Sequence, residues 1–171
     1  MENHRLKILV RTSLLLALAL AVQSMRMPQM VTGPVINAVL ILAVALGGGM
    51  VSGILVGSIT PWVAVMTGIM VFAPVAPVIM AGNIALVVVF AVLSRSLGSS
   101  TGDFLAAVAA ALAKFAVMFV GIRWLVAPSI ALPPPAIVML TTTQLYTAVI
   151  GGMLAVSIIK ILGRLEQFKS T

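Results

Sequence analysis

Six apolar runs succeed one another along the chain with only short polar breaks between them: 6–25, 34–46, 50–66, 78–93, 104–126 and 136–162. Crossing a hydrocarbon core about 30 Å thick takes about 20 apolar residues in a helix. The composition agrees, with 62% hydrophobic and 8% charged residues, where a soluble domain carries about 25% charged residues. Too little polar side chain is present to coat a soluble surface. The fold class expected is therefore all-α: a polytopic membrane protein with six transmembrane helices, forming one membrane domain over residues 1–171.

The breaks have their own signals. Arg5, Lys7 and Arg11 before the first run, with Ala19-Leu20-Ala21 near its end, resemble a secretory signal. The rest of the chain is equally apolar and needs an anchor, so the run reads as a retained span. Pro34 is expected to start the second helix, and Gly47-Gly48-Gly49 a tight reversal before the third. Pro61 removes a backbone donor and predicts an end or kink. Residues 62–77, with Pro74 and Pro77, read as a partly helical loop against the membrane, and "APSIALPPPA" (127–136) as a stiff, non-helical connection. The segments 26–34 and 127–135 are expected to act as outer loops capping a pocket.

Ten Lys and Arg against three acids give a formal net charge of +7. They are scattered singly, without the basic stripe of a nucleic-acid binder, and serve better as flanking charges. With six spans, Arg5, Lys7, Arg11, Arg95, Lys160, Arg164 and Lys169 fall on one side, and Arg26 and Arg123 on the other. The positive-inside rule then places both termini in the cytoplasm. Trp124 and Trp62 fit the outer interfacial belt. Zero cysteines and a single histidine, His4 in the N-terminal tail, leave no thiolate or histidine metal site and no Ser-His-Asp set. The acids Glu2, Asp103 and Glu166 all fall at the cytoplasmic edge, so a carboxylate proton relay is not expected. No GxxxxGK[ST] pattern occurs, so the chain is not expected to hydrolyse ATP itself. No catalytic residue, metal or cofactor is expected, and no enzyme.

What remains is packing and buried polarity. Gly49, Gly53 and Gly57 form a small-residue stripe that admits a close neighbour, read as one within the chain. Ala17-x-x-x-Ala21 is a weaker form of the same device. Asn83, Thr141 and Gln144 stand in the outer half of the last three helices, with Asn37 early in the second and Arg26, Gln29, Thr32 and Arg123 at the outer mouth. Asn and Gln at such depth serve either as glue between helices or as ligand contacts; their gathering points to a shared pocket.

Lys114, in "AAALAKFAVMFVG", lies ten residues beyond Phe104. That is about 15 Å along a helix, the middle of the core. A charge there costs at least about 2.5–3.5 kcal/mol, and Asp103 lies more than two turns toward the cytoplasm. The amine is then neutral, or snorkels, or bonds carbonyls and hydroxyls of neighbouring helices, or else meets an anionic or electronegative group on a bound solute. Arg123, nine residues further on and roughly 180° around the helix, is placed at the entrance instead.

The segments "LLLALALAVQ", "TGPVINAVLILAVALGGGMVSGILVGSITPW", "APVAPVIMAGNIALVVVF", "AKF" around Lys114 and "TTTQLYTAVIGG" together resemble the substrate-binding S component of an energy-coupling factor (ECF) vitamin transporter. The resemblance implies high-affinity binding of a vitamin or related small solute in an outward-facing pocket. Candidate solute contacts are Lys114, Asn83, Gln144, Thr141, Asn37, Arg26 and Arg123. It also implies partners: a transmembrane coupling subunit, contacted through Ala17 and Ala21, and two separate ABC ATPases, in the plasma membrane of a prokaryote. The alternatives are a stand-alone secondary transporter or channel, in which an inverted repeat would be expected, and a membrane scaffold whose polar residues only join helices.

Overall fold

The computed structural model describes residues 2–70 and 72–169, with side chains over 3–70 and 72–163. The side chains of Glu2, Arg164, Glu166 and Lys169, which enter the charge balance above, lie outside the described residues. Within these bounds the chain is all-helical: α1 (Glu2–Ser24), α2 (Gln29–Leu46), α3 (Met50–Met66), a 3-10 turn (Ala73–Val75), α4 (Ala76–Leu97), α5 (Ser100–Val120) running into a π-helical turn (Gly121–Val126), α6 (Pro134–Leu140) and α7 (Thr142–Lys169). Five helical stretches, Asn3–Ser24, Gln29–Leu46, Ala73–Leu97, Ser100–Val126 and Pro134–Gly163, are long and apolar enough to cross a membrane. Met50–Met66, with 17 residues, is a shorter apolar helix, about 25 Å long at 1.5 Å per residue.

Several boundaries differ from the sequence expectation, and most differences trace to proline. Helix α2 starts at Gln29 rather than Pro34: Pro28 is its N-cap, and its carbonyl accepts from the backbone N–H groups of Val31 (2.8 Å) and Thr32 (3.1 Å). Pro34 sits in the second turn. The expected outer loop over 26–34 is thus helical from 29 onward. Helix α3 passes through Pro61 to Met66 and then ends at Thr67, whose N–H still bonds the Val63 carbonyl. The segment 127–136 was expected to be non-helical, but α6 begins at Pro134, because Pro134 and Pro135 occupy the first turn, where no N–H is needed. The expected single span over 136–162 is broken at Thr141 (φ −119°, ψ −80°) into α6 and α7. Between α4 and α5 the expected ten-residue connection shrinks to a turn. Gly98, at φ +52°, ends α4, and Ser99 caps α5 by accepting the Gly102 N–H at 2.9 Å.

The helices alternate in direction, so the bundle has two ends. One carries the start of α1 and the α2–α3 and α4–α5 turns, with Arg11 Nη1 donating to the Leu46 carbonyl at 3.3 Å and Lys160 Nζ to that of Ser100. The core between them is aliphatic and alanine-rich: Leu40 and Ile41 of α2, Leu86 and Val87 of α4, Ala107 and Ala110 of α5, and Ala148 and Val156 of α7 are buried. Small residues set the spacing. The Gly49 stripe faces neighbours in the same chain: a Cβ on Gly53 would crowd Val44 and Val87, and one on Gly57 would stand 3.0 Å from Asn83 Cβ. A Cβ on Gly151 of α7 would overlap the Pro34 carbonyl of α2. Helix α1 lies on the outside of the bundle and buries Ala19, while Ala17 and Ala21 are exposed.

Candidate solute-binding site

The other end of the bundle is hollow. A cavity of about 420 Å³ reaches from the α1–α2 connection and the residues after α3 down to mid-depth. Lys114, Asn37 and Asn83 are the most buried polar side chains of its lining. Lys114 is 2% exposed, and its Nζ donates to Asn37 Oδ1 at 2.7 Å and to Asn83 Oδ1 at 2.8 Å. A third position on the amine is left, and Lys114 lines the cavity.

Both carboxamides are turned toward the amine by what holds their other ends. Pro61 has no N–H, so the Gly57 carbonyl, four residues earlier, loses its helical partner. Asn83 Nδ2 replaces that donor across the α3–α4 contact at 3.0 Å. The bond commits the nitrogen of Asn83 to α3 and leaves its oxygen for Lys114. Asn37 is fixed in the same way: its Nδ2 donates to the Gly33 carbonyl at 2.8 Å and reaches Thr147 Oγ1 of α7 at 3.5 Å. Thr147 Oγ1 in turn donates to the Gln144 carbonyl at 3.1 Å. One amine thereby ties α2, α3, α4, α5 and α7 together.

Above this network the lining is mostly apolar, with Ile36, Ile69, Met70, Phe72 and Ile79 among its residues, and no carboxylate occurs among the described lining residues. Gln144 also lines it; the side chain is 6% exposed, and its carboxamide makes no hydrogen bond to the described residues. Thr60 and Gln23 line the side formed by α3 and α1. Gln23 Nε2 donates to the Thr60 carbonyl at 3.2 Å, whereas Gln23 Oε1 and Thr60 Oγ1 have no partner among the described residues. Arg26, at φ +53°, lies at the mouth and ties the α1–α2 connection to the end of α3 through Nη2 to the Thr67 carbonyl at 3.1 Å.

Five of the residues expected at the site, Lys114, Asn83, Gln144, Asn37 and Arg26, line one cavity. Two do not. Thr141 is buried at the α6–α7 break, with its hydroxyl on the Ile137 carbonyl at 2.7 Å, and Arg123 is exposed on the π-helical turn. Neither is among the lining residues. Sequence reasoning passed over Gln23, Thr60 and Thr147. The usable signal was Pro61, which predicts a freed carbonyl at Gly57 and hence a polar donor opposite it. No group of three or more metal-ligating side chains occurs among the described residues. Comparison with family models, with curated proteins and with solved structures finds no match for this chain.

Proposed function

We propose that this chain is a membrane-embedded binding subunit for a small organic solute carrying an anionic or electronegative group, acting as the S component of an ECF-type importer. The observation that carries the reading is a cavity of about 420 Å³ lined by the buried Lys114, with no acid among its described lining residues. The volume falls in the range of about 300–1,000 Å³ usual for small-molecule sites. The lining, mostly apolar with a few convergent polar groups, is of the kind that orients a solute rather than conducts one. On this reading α3 completes six spans, and both termini and the α4–α5 turn are cytoplasmic, as the basic residues favour. The cavity then opens outward. An impermeant maleimide reads that orientation: Ser129→Cys should label on intact cells and Ser96→Cys should not.

Hydrolysis of ATP would belong to two separate ABC ATPases, joined through a transmembrane coupling subunit. The exposed Ala17 and Ala21 of α1 support such a contact, because small side chains let another helix approach closely. Purification in mild detergent followed by extraction and mass spectrometry tests the binding role. A stoichiometric small molecule with an acidic or strongly electronegative group is expected. Its reproducible absence from protein that remains folded would count against the reading and in favour of a scaffold.

A further inference from the structure

The polar groups of the cavity ask for more than an anion. Asn37 and Asn83 are committed at both ends, to Lys114 and to backbone or Thr147. Gln144 is not. It is 94% buried by the complement of its 6% exposure, it lines the cavity, and its carboxamide makes no hydrogen bond to the described residues. Its nitrogen and oxygen are not among the buried atoms that lack a partner; they open on the cavity, free to meet what enters it. A carboxamide offers an N–H donor and a C=O acceptor side by side in one plane. Its complement is another such edge, the –NH–C(=O)– unit of a lactam, ureide or pyrimidine-type ring. A simple aliphatic or aromatic acid would pair with Lys114 but leave the Gln144 oxygen without a donor.

Lys114 and Gln144 line the same cavity, and Gln144 precedes Thr147 by three residues on α7, about 4.5 Å along the axis. Thr147 touches Asn37, which holds Lys114. We infer that the site recognises a ring-bearing acid: its acidic group meets the remaining position on the Lys114 amine, and a cyclic amide edge pairs with the Gln144 carboxamide. The inference rests on the solute-binding reading above and narrows it to a substrate class.

Three fragments separate its parts: orotate, with both a carboxylate and ring amide edges; benzoate, with the carboxylate alone; and uracil, with the edges alone. Their affinities for the dialysed full-length protein are measured by ligand-observed NMR titration, alongside Gln144→Met and Lys114→Met. Orotate should bind the parent about tenfold tighter than either simpler fragment, the worth of one to two hydrogen bonds. Gln144→Met should lower orotate to the benzoate value and leave benzoate unchanged, which also shows that the variant is folded. Lys114→Met should lower orotate to the uracil value. The inference is overturned, with the solute site standing, if Lys114-dependent binding is equal for orotate and benzoate, if Gln144→Met preserves the orotate advantage, or if it weakens both acids alike. Failure of every fragment to bind in a Lys114-dependent way overturns the solute-site reading and the inference together.

Discussion

An amine at mid-depth is held here by two amide oxygens. Hydrogen bonds to a charged group contribute about 1.5–3 kcal/mol each, enough for the pair from Asn37 and Asn83 to offset the about 2.5–3.5 kcal/mol of insertion cost. Lys114 therefore needs no solute in order to fold, and its free position remains for binding. The three residues should behave as one unit. Asn83→Leu strips a partner from both Lys114 and the Gly57 carbonyl, and should destabilise by about 1–3 kcal/mol per orphaned group. Lys114→Met removes the insertion cost of the amine but leaves the Asn37 and Asn83 oxygens without their donor, so the two effects should largely cancel. In the double variant no amine is left short of a partner, so part of the Asn83→Leu loss should return, by about 1 kcal/mol or more. Thermal unfolding of the four proteins in one detergent measures this. Strict additivity would show that the 2.8 Å bond between Lys114 and Asn83 carries no coupling.

At the scale of elements, proline decides most of what the bundle does locally. Pro61 does not end α3; it frees the Gly57 carbonyl, and Asn83 fills the vacancy at 3.0 Å. Pro61→Ala restores a backbone N–H that competes for the same oxygen. The helix should become more stable by up to about 3 kcal/mol, while Asn83, released from α3, should hold Lys114 less firmly and solute affinity should fall several-fold. A variant with unchanged affinity would break the link between the kink residue and the site. The same element shows what the sequence disclosed. Runs of apolar residues gave the helices, and the isolated polar residues at depth gave Lys114, Asn37, Asn83 and Gln144. Pro34 lies in the second turn of α2, after a start set by Pro28, whereas Pro134 opens α6, where the early N–H groups lack helical partners; the residue pattern does not tell these placements apart. Thr141 and Arg123 stand outside the cavity lining, at a helix break and on a π-helical turn, and neither feature leaves a period in the residue pattern. Which oxygen faces Lys114 was not legible, since it depends on contacts between residues 26 or more positions apart.

For the molecule as a whole, the cavity and the exposed face of α1 are separate surfaces, so binding and coupling should be separable by mutation. Ala17→Trp with Ala21→Trp places bulk on a face that packs against nothing in the chain. It should abolish energy-coupled uptake and capture of the coupling subunit while solute affinity stays within about twofold. Survival of that capture would move the partner surface elsewhere. The central claim, that the cavity above Lys114 holds an acidic or electronegative solute, is tested most directly by native mass spectrometry of the intact protein beside Lys114→Met, both purified in parallel. The account predicts a peak for the parent displaced by the mass of one small molecule, and a variant that is equally folded but carries little or none. Equal occupancy of the two proteins by the same molecule would contradict it.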